Sequence, residues 1–399
     1  MSIRHSIWNV VKKEVYLRCI NCGKEFEPQL YLFKCPKCGS LLEVIVPKPH
    51  LDWEKLSSRK PSVWKYRELL PIREDIEPVS LGEGGTPLIP LKRVVLRDTG
   101  RDYRIYAKFE GANPTGSFKD RGMTVGITLA KYLGFKGVIV ASTGNTSASA
   151  AAYAARAGLE CLVVLPRGKV ARGKLSQAIL HGARIVEVEG SFDNALEYVM
   201  EKIFGSSEHS YYPLNSLNPW RLEGQKTIAY EIVDELGRVP DYVVVPVGNA
   251  GNISAIWKGF KELYMFGYIN KLPRMIGVQA EGASPLANMW ENKAEKPLFV
   301  DKPETIATAI RIGKPINWMK AVRAVIESNG MFLKVNDEEI IEALKKIARY
   351  EGIGVEPASA TAYAGFLKLV EKETINIDEI GVLVFTGHAL KDPDTISYL

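Results

Sequence analysis

Short β-branched runs alternate with alanine-rich or amphipathic stretches along the chain from about residue 103 onward. Five of the runs are apolar through most of their length: "GVIVAS" at 137–142, "CLVVLP" at 161–166, "DYVVVPV" at 241–247, "RMIGVQA" at 274–280 and "IGVLVFTG" at 380–387. "YRIYAKFE" near 103–110 and "ARIVEVE" at 183–189 complete seven candidate strands. Between most of them lie helical patterns such as "TSASAAAYAARAG" and "ARGKLSQAILHGA". Strands with no polar face, separated by helices, predict parallel sheets buried on both sides, and seven are enough for two sheets. The fold class is therefore α/β. Ligands in such sheets bind beyond the carboxyl ends of the strands, and three loops in that position carry glycine with small polar residues: "ASTGNTSAS", "PVGNAGNIS" and "FTGHALKDP".

The first 48 residues follow another pattern. Cys19, Cys22, Cys35 and Cys38 form two CxxC pairs, each followed by a glycine, Gly23 and Gly39. Two tight turns so spaced present four thiolates to one tetrahedral zinc, with iron as the other candidate for a four-sulfur site. No histidine, carboxylate or open position accompanies them, so the expected role is structural. A disulfide pairing is the alternative, disfavoured in a reducing compartment. Cys161, alone in an apolar run, reads as core.

Composition narrows the function. Hydrophobic residues make up 46% and charged residues 25%, as in soluble globular proteins. No apolar run approaches the roughly 18 residues of a membrane span, and the N-terminus lacks a signal peptide's apolar region. A cytoplasmic protein without membrane association is expected. The net charge of +6 is spread over 399 residues with no long basic block, which does not indicate nucleic-acid binding and suits small phosphate-bearing substrates.

Chemistry concentrates in the loops. In "NPTGSFKDRG" Lys119 stands where a glycine-containing loop opens a helix, an unfavourable place for a cation of no function. In "PVGNAGN" the residues Gly248, Asn249, Ala250, Gly251 and Asn252 join a strand to a helix, and free N–H groups there suit phosphate oxygens. The spacing is neither GxGxxG nor a Walker loop. "GKVARGKL", Gly168–Leu175, nearly matches a Walker loop, but leucine stands where the magnesium ligand must be serine or threonine. A lysine, a phosphate cradle and a third loop ending in "FTGH" together suggest pyridoxal phosphate.

The motifs "NPTGSFKDRG", "STGNTSASAAAYAARAGL", "NSLNPWRLEGQKT", "PVGNAGN", "EPASA" and "TGHALKDP", in that order between about residues 80 and 395, resemble the threonine synthase family, pyridoxal-phosphate enzymes of the tryptophan synthase β superfamily. The resemblance implies two open parallel-sheet domains with the cofactor between them, beside the N-terminal zinc-ribbon module: 1–48 for the module, 49–112 with 216–399 for the larger domain, 113–215 for the smaller. It implies that Lys119 binds the cofactor aldehyde and that residues 248–252 hold its phosphate. Asn145 would meet the ring hydroxyl and Thr386 the ring nitrogen. A hydroxyl in that last place would leave the nitrogen largely unprotonated. Ser142, Thr143 and Thr146 would receive the substrate carboxylate, and Asn215, Ser216, Arg221 and Lys174 its phosphate. The pattern departs from the family at Ala389, where glycine is usual.

The reaction so implied turns O-phospho-L-homoserine and water into L-threonine and phosphate. Lys119, freed by the substrate amine, would remove the α and then the β proton. The phosphate would leave from the γ carbon, a proton would be returned to that carbon, and water would add at the β carbon. A homodimer is expected. Two relatives compete as readings: cysteate synthase, acting on O-phosphoserine with sulfite, and threonine deaminase, which has no need of a second phosphate receptor.

Overall fold

The structure, a computed structural model, describes residues 6–167, 172–190, 194–195, 197–199, 201 and 210–397. Thirteen strands run through these residues: β1 (Tyr16–Cys19), β2 (Glu25–Phe26), β3 (Leu42–Ile45), β4 (Leu88–Pro90), β5 (Arg104–Phe109), β6 (Gly137–Ala141), β7 (Glu160–Pro166), β8 (Arg184–Val188), β9 (Tyr211–Pro213), β10 (Tyr242–Pro246), β11 (Arg274–Ala280), β12 (Met331–Val335) and β13 (Ile380–Phe385). No helix among the described residues is long and apolar enough to cross a membrane. Contacts divide the chain into two compact units, Met1–Gly84 with Lys119–Gln225 and Gly85–Phe118 with Lys226–Leu399. These divisions fall at other places than the 48/49, 112/113 and 215/216 boundaries read from the sequence, and the cysteine module shares a unit with the segment that follows Lys119.

In the first unit, β2, β1 and β3 make a small antiparallel sheet, with Leu17 opposite both Phe26 and Val44. The second sheet of this unit is parallel, in the order β8-β7-β6-β9. Val138 pairs with Cys161 and Tyr212, and Val163 with Ile185. Every residue of β6 is buried, as its unbroken apolar sequence requires. The module packs into the same core: Tyr31 meets Phe135 edge-on at 6.0 Å between ring centroids, and Phe33 meets Tyr212 at 6.4 Å. Trp64 Nε1 donates to Thr124 Oγ1 at 2.8 Å, and Thr128 Oγ1 accepts from the Val79 N–H at 2.9 Å, strapping the N-terminal segment along the helix Lys119–Tyr132. Buried aromatics of this kind each contribute on the order of 2–3 kcal/mol.

The second unit holds a six-stranded sheet in the order β12-β11-β10-β13-β5-β4, parallel except for β4 at its edge. Val243 pairs with Met275 on one side and Val382 on the other, and Val382 pairs in turn with Tyr106. Helices formed by Gly251–Met265, Asp337–Glu351 and Pro357–Glu371 cover it. Asp337–Glu351 starts at a capping box between Asn336 and Glu339, a reciprocal satisfaction of orphan donors.

Both parallel sheets reverse their strand order once. The chain lays β7 and β8 to one side of β6 and returns to place β9 on the other; it lays β11 and β12 to one side of β10 and returns to place β13 on the other. Loops leaving two neighbouring parallel strands at such a reversal open a crevice at their carboxyl ends, where ligands bind.

Candidate active site

At the reversal in the first unit, the loops after β6 and β9 are tied together by one side chain. Asn215 Oδ1 accepts from the Ala141 N–H at 3.0 Å, and Asn215 Nδ2 donates to the Ala141 carbonyl at 2.8 Å. The loop that follows Ala141 carries Ser142, Thr143, Asn145 and Thr146, all half-buried. Ser142 Oγ accepts from the Gly144 N–H at 3.3 Å, and the helix Asn145–Ala157 begins with no side-chain cap on its first N–H groups. Ser216, also half-buried, follows Asn215 directly. Ser142 through Thr146 and Asn215 with Ser216 therefore lie at one end of one sheet.

Lys119 opens the helix Lys119–Tyr132, and this helix crosses Pro219–Gln225, which carries Arg221. Glycine on both sides permits the approach. A Cβ on Gly122 would stand 2.7 Å from the Arg221 carbonyl oxygen, and one on Gly224 would collide with the carbonyl of Arg121. Gly122 is one turn from Lys119 and touches Arg221 itself. Arg221 is 2% exposed, and its guanidinium donates to the Leu214 carbonyl at 2.9 Å while Nε has no partner. No carboxylate pairs with it among the described residues, and burial pulls its pKa from 12.5 down to about 10. A buried cation with no carboxylate beside it among the described residues carries a desolvation cost that an anion would offset. Lys174 falls in the helix Arg172–Leu180, and its side chain, like all of residues 168–171 of the near-Walker segment, lies outside the described part of the structure.

Two buried carboxylates accept from the helix Asn145–Ala157, one of them carried by the Lys119 helix itself. Asp120 accepts from Ser149 Oγ at 2.5 Å. Glu83 accepts from Tyr153 Oη at 2.7 Å, from the Leu81 N–H at 2.9 Å and from Ser80 Oγ at 3.0 Å. Burial, then the negative charges of Asp120 and Glu83, push the Tyr153 phenol far up, so it stays a donor.

In the second unit, the neighbouring parallel strands β10 and β13 deliver their loops to the same end. After β10, Asn249 Oδ1 accepts from the Ile316 N–H at 2.8 Å, fixing the loop. Ala250 takes a left-handed φ of 63°, uncommon for a residue with a Cβ. The helix Gly251–Met265 then starts without a side-chain cap. Asn252 is 7% exposed, yet neither atom of its amide has a hydrogen-bond partner. After β13, Thr386 is buried, and its carbonyl accepts from the Phe118 N–H at 3.0 Å; the His388 N–H donates to the Gly116 carbonyl at 2.9 Å. The peptide that leads into Lys119 is thus hydrogen-bonded to the Thr386 turn.

An uncapped helix start, a bent loop and an unsatisfied buried amide gather unpaired donors of the kind that a phosphate monoester accepts from. With a buried hydroxyl at the adjacent strand end, these residues fit pyridoxal phosphate. A family model described as pyridoxal-phosphate dependent enzyme matches residues 79–387. The chain is 53% identical over 382 residues to a threonine synthase of Methanocaldococcus jannaschii, covering 94% of this chain and 93% of that protein. It is 50% identical to one of Methanosarcina acetivorans, covering 96% and 93%. The chain belongs to the threonine synthase family. Its fold is also that of threonine deaminase isoform 2 from Solanum lycopersicum (22% identity, TM-score 0.65, 78% of this chain and 86% of that one) and of a fungal L-serine ammonia-lyase from Rhizomucor miehei (18%, 0.66, 81% and 98%). The tryptophan synthase β-like α/β architecture expected from the motifs is the one found. Membership of the threonine synthase family makes the chain a pyridoxal-phosphate-dependent lyase.

Where the threonine synthase pattern departs, at Ala389, the structure makes room. The Ala389 N–H donates to the Gly354 carbonyl at 3.1 Å, and a Cβ on Gly354 would lie 3.2 Å from the Ala389 methyl.

The four cysteines of the module are free thiols whose sulfurs all lie within 4.8 Å of one another. Cys19 and Cys38 approach to 3.4 Å, Cys22 and Cys35 to 3.7 Å. A tetrahedral zinc with Zn–S of about 2.3 Å sets its ligands about 3.8 Å apart, so this cluster fits one. Two like turns build it. The Gly23 N–H donates to the Cys19 carbonyl and the Gly39 N–H to the Cys35 carbonyl, each glycine at φ 71°, a conformation other residues resist. Cys161 is buried, and burial pushes its thiol up to about 12, as for an inert core residue.

Proposed function

We propose that this chain makes L-threonine and inorganic phosphate from O-phospho-L-homoserine and water. The observation that carries this reading is Arg221: a buried cation packed on the helix of Lys119, with no carboxylate paired to it among the described residues. An enzyme whose substrate has no phosphate needs no such group, which favours this reading over a threonine deaminase. Pyridoxal phosphate, when bound, supplies an aldehyde for the substrate amine and a ring that draws charge from the α carbon.

Each residue has a part. Lys119 holds the aldehyde in the resting enzyme, and its freed Nζ moves protons from the α and β carbons. Gly248, Asn249, Ala250, Gly251 and Asn252 hold the cofactor phosphate, with Asn145 on the ring hydroxyl and Thr386 on the ring nitrogen. Ser142, Thr143 and Thr146 present hydroxyls and the uncapped start of Asn145–Ala157 to the substrate carboxylate. Arg221 grips the substrate phosphate with Ser216 and Lys174. Asn215, its amide already engaged with Ala141, keeps the two substrate loops in register. A charge-assisted anchor for a leaving phosphate in a closed site is worth roughly 2–4 kcal/mol in the transition state.

The same reading assigns one structural zinc to Cys19, Cys22, Cys35 and Cys38, and a cytoplasmic homodimer. Four reduced thiols in one cluster support a reducing compartment, and light scattering reads the oligomer. The deciding experiment incubates the protein separately with O-phosphohomoserine, with O-phosphoserine plus sulfite, and with threonine. Threonine and phosphate from the first alone is expected. Cysteate from the second, or 2-oxobutyrate from the third with nothing from the first, would overturn the assignment.

A further inference from the structure

Gln225 closes the helix Pro219–Gln225, one turn beyond Arg221 on the same face. It is 1% exposed, and its amide oxygen Oε1 is buried without a hydrogen-bond partner. A buried acceptor in that state is costly and calls for a donor.

The crossing with the helix Lys119–Tyr132 fixes where this amide stands. A Cβ on Gly126 would lie 2.6 Å from Leu214 Cδ2 and 3.9 Å from Arg221 Cβ, and one on Gly122 would lie 2.9 Å from Arg221 Cγ and 3.0 Å from Gln225 Nε2. The two segments therefore run in opposite senses, and each step toward Gln225 is a step toward Lys119. Lys119, Gly122 and Gly126, spaced three and four apart, share one face of their helix, and Lys119 is half-buried. Gln225 stands on the Lys119 side of Arg221.

Substrate chemistry narrows the donor. With the substrate phosphate on Arg221 and the α carbon at Lys119, the β and γ carbons span the interval between them, which is the interval Gln225 borders. Phosphate oxygens accept, whereas the water that adds at the β carbon has hydrogens to give. We propose that Gln225 Oε1 accepts a hydrogen bond from this water and turns its lone pair toward the β carbon. This deepens the reading of the chain as a maker of threonine and rests on it. The water oxygen bonds to the β carbon and keeps one hydrogen as the threonine hydroxyl; the other leaves as a proton that the overall reaction delivers to the departed phosphate. A carboxamide suits the place because, unlike a carboxylate, it does not compete with the substrate phosphate for the Arg221 guanidinium. Orientation of this kind acts only after phosphate has left. Without it, the unsaturated four-carbon amino acid that remains is released and hydrolyses to 2-oxobutyrate and ammonia, so that O-phosphohomoserine and one water balance either outcome.

The test loads the full chain with pyridoxal phosphate, supplies O-phosphohomoserine and measures phosphate, threonine and 2-oxobutyrate together. In wild type, threonine should match phosphate. Gln225→Met, of similar length and with no amide, should raise 2-oxobutyrate per phosphate released by about tenfold, the order of losing one hydrogen bond, while phosphate release falls less than threonine formation. Gln225→Glu keeps an acceptor in place: its KM should rise, because a carboxylate engages Arg221, and threonine should remain the main product. Phosphate release and threonine formation that fall together in Gln225→Met would overturn the proposal, since a packing role, or a hydrogen bond to Lys119 Nζ, slows both alike. Diversion to 2-oxobutyrate in Gln225→Glu as large as in the methionine variant would overturn it too, and this variant decides where melting shows that Gln225→Met does not fold. A wild type that releases no phosphate from O-phosphohomoserine refutes instead the proposed function on which the inference rests.

Discussion

Replacing Arg221 by methionine, of similar length and no charge, separates the cost of burying a cation from the benefit of its ligand. Burial holds the guanidinium near 10 instead of 12.5; at about 1.4 kcal/mol per pKa step this is about 3 kcal/mol against the charged form. Because the folded value is the lower one, the penalty is present in full at neutral pH and fades only as pH climbs through 10 toward 12.5. The bond to the Leu214 carbonyl returns about 1–2 kcal/mol of it. Arg221→Met should therefore be more stable than wild type by about 1–2 kcal/mol in phosphate-free buffer, a rise of about 2–4 °C per kcal/mol for a unit of this size. Inorganic phosphate should raise the wild-type melting temperature, by about 2.7 kcal/mol of stability at a hundredfold excess over Kd, and leave the variant unmoved. The assay is thermal melting of cofactor-loaded protein across a phosphate titration. A wild type insensitive to phosphate, or a variant that melts lower and still responds, refutes the argument.

Other changes test the remaining parts. Lys119→Ala should lose both the visible absorption of bound cofactor and turnover; keeping either one would show that another amine holds the aldehyde. Cys22→Ser should lower the zinc content from about one per chain and reduce thermal stability more than kcat, whereas metal-free wild type purified under reducing conditions would contradict the zinc assignment. Gly224→Ala forces a methyl onto the Arg121 carbonyl and should cost about 1–3 kcal/mol in urea melts, with an unchanged midpoint counting against the close helix crossing. Tyr153→Phe deprives buried Glu83 of one donor and should cost about 1–3 kcal/mol; a neutral result would mean that the Ser80 hydroxyl and the Leu81 N–H satisfy Glu83 without it.

The loops proposed to carry the site stand out in the sequence because glycine, small polar residues and an isolated lysine between apolar runs serve a ligand better than they serve a core. So were the cysteine turns. Strand order was not. β9, three residues long, and β12, with a mixed burial pattern, carry too little periodicity to be seen, yet β9 places Asn215 beside Ala141. The pattern of Gly122 and Gly224 announces a close helix crossing only once the partner helix is known. Glu356 and Ser359 belong to the "EPASA" segment, but their hydrogen bonds to Thr386 join positions 27 to 30 residues apart in the chain. Glu83 likewise reaches Tyr153 across 70.

The merging of the cysteine module with a core completed by residues 119–225 has a consequence for synthesis on the ribosome. Tyr31 and Phe33 emerge long before Phe135 and Tyr212, their ring partners, and Leu42 and Val44 before the helix Pro219–Gln225 that packs on their strand. At roughly 5–20 residues per second, the wait is on the order of 10 s. During that interval the nascent module has a ring of exposed apolar side chains and only its four-sulfur cluster to hold its three short strands in shape. With the proposed zinc in that cluster, metal supply would govern how many chains reach the folded state, and a shortage would lower the number of enzyme molecules more than the turnover of each.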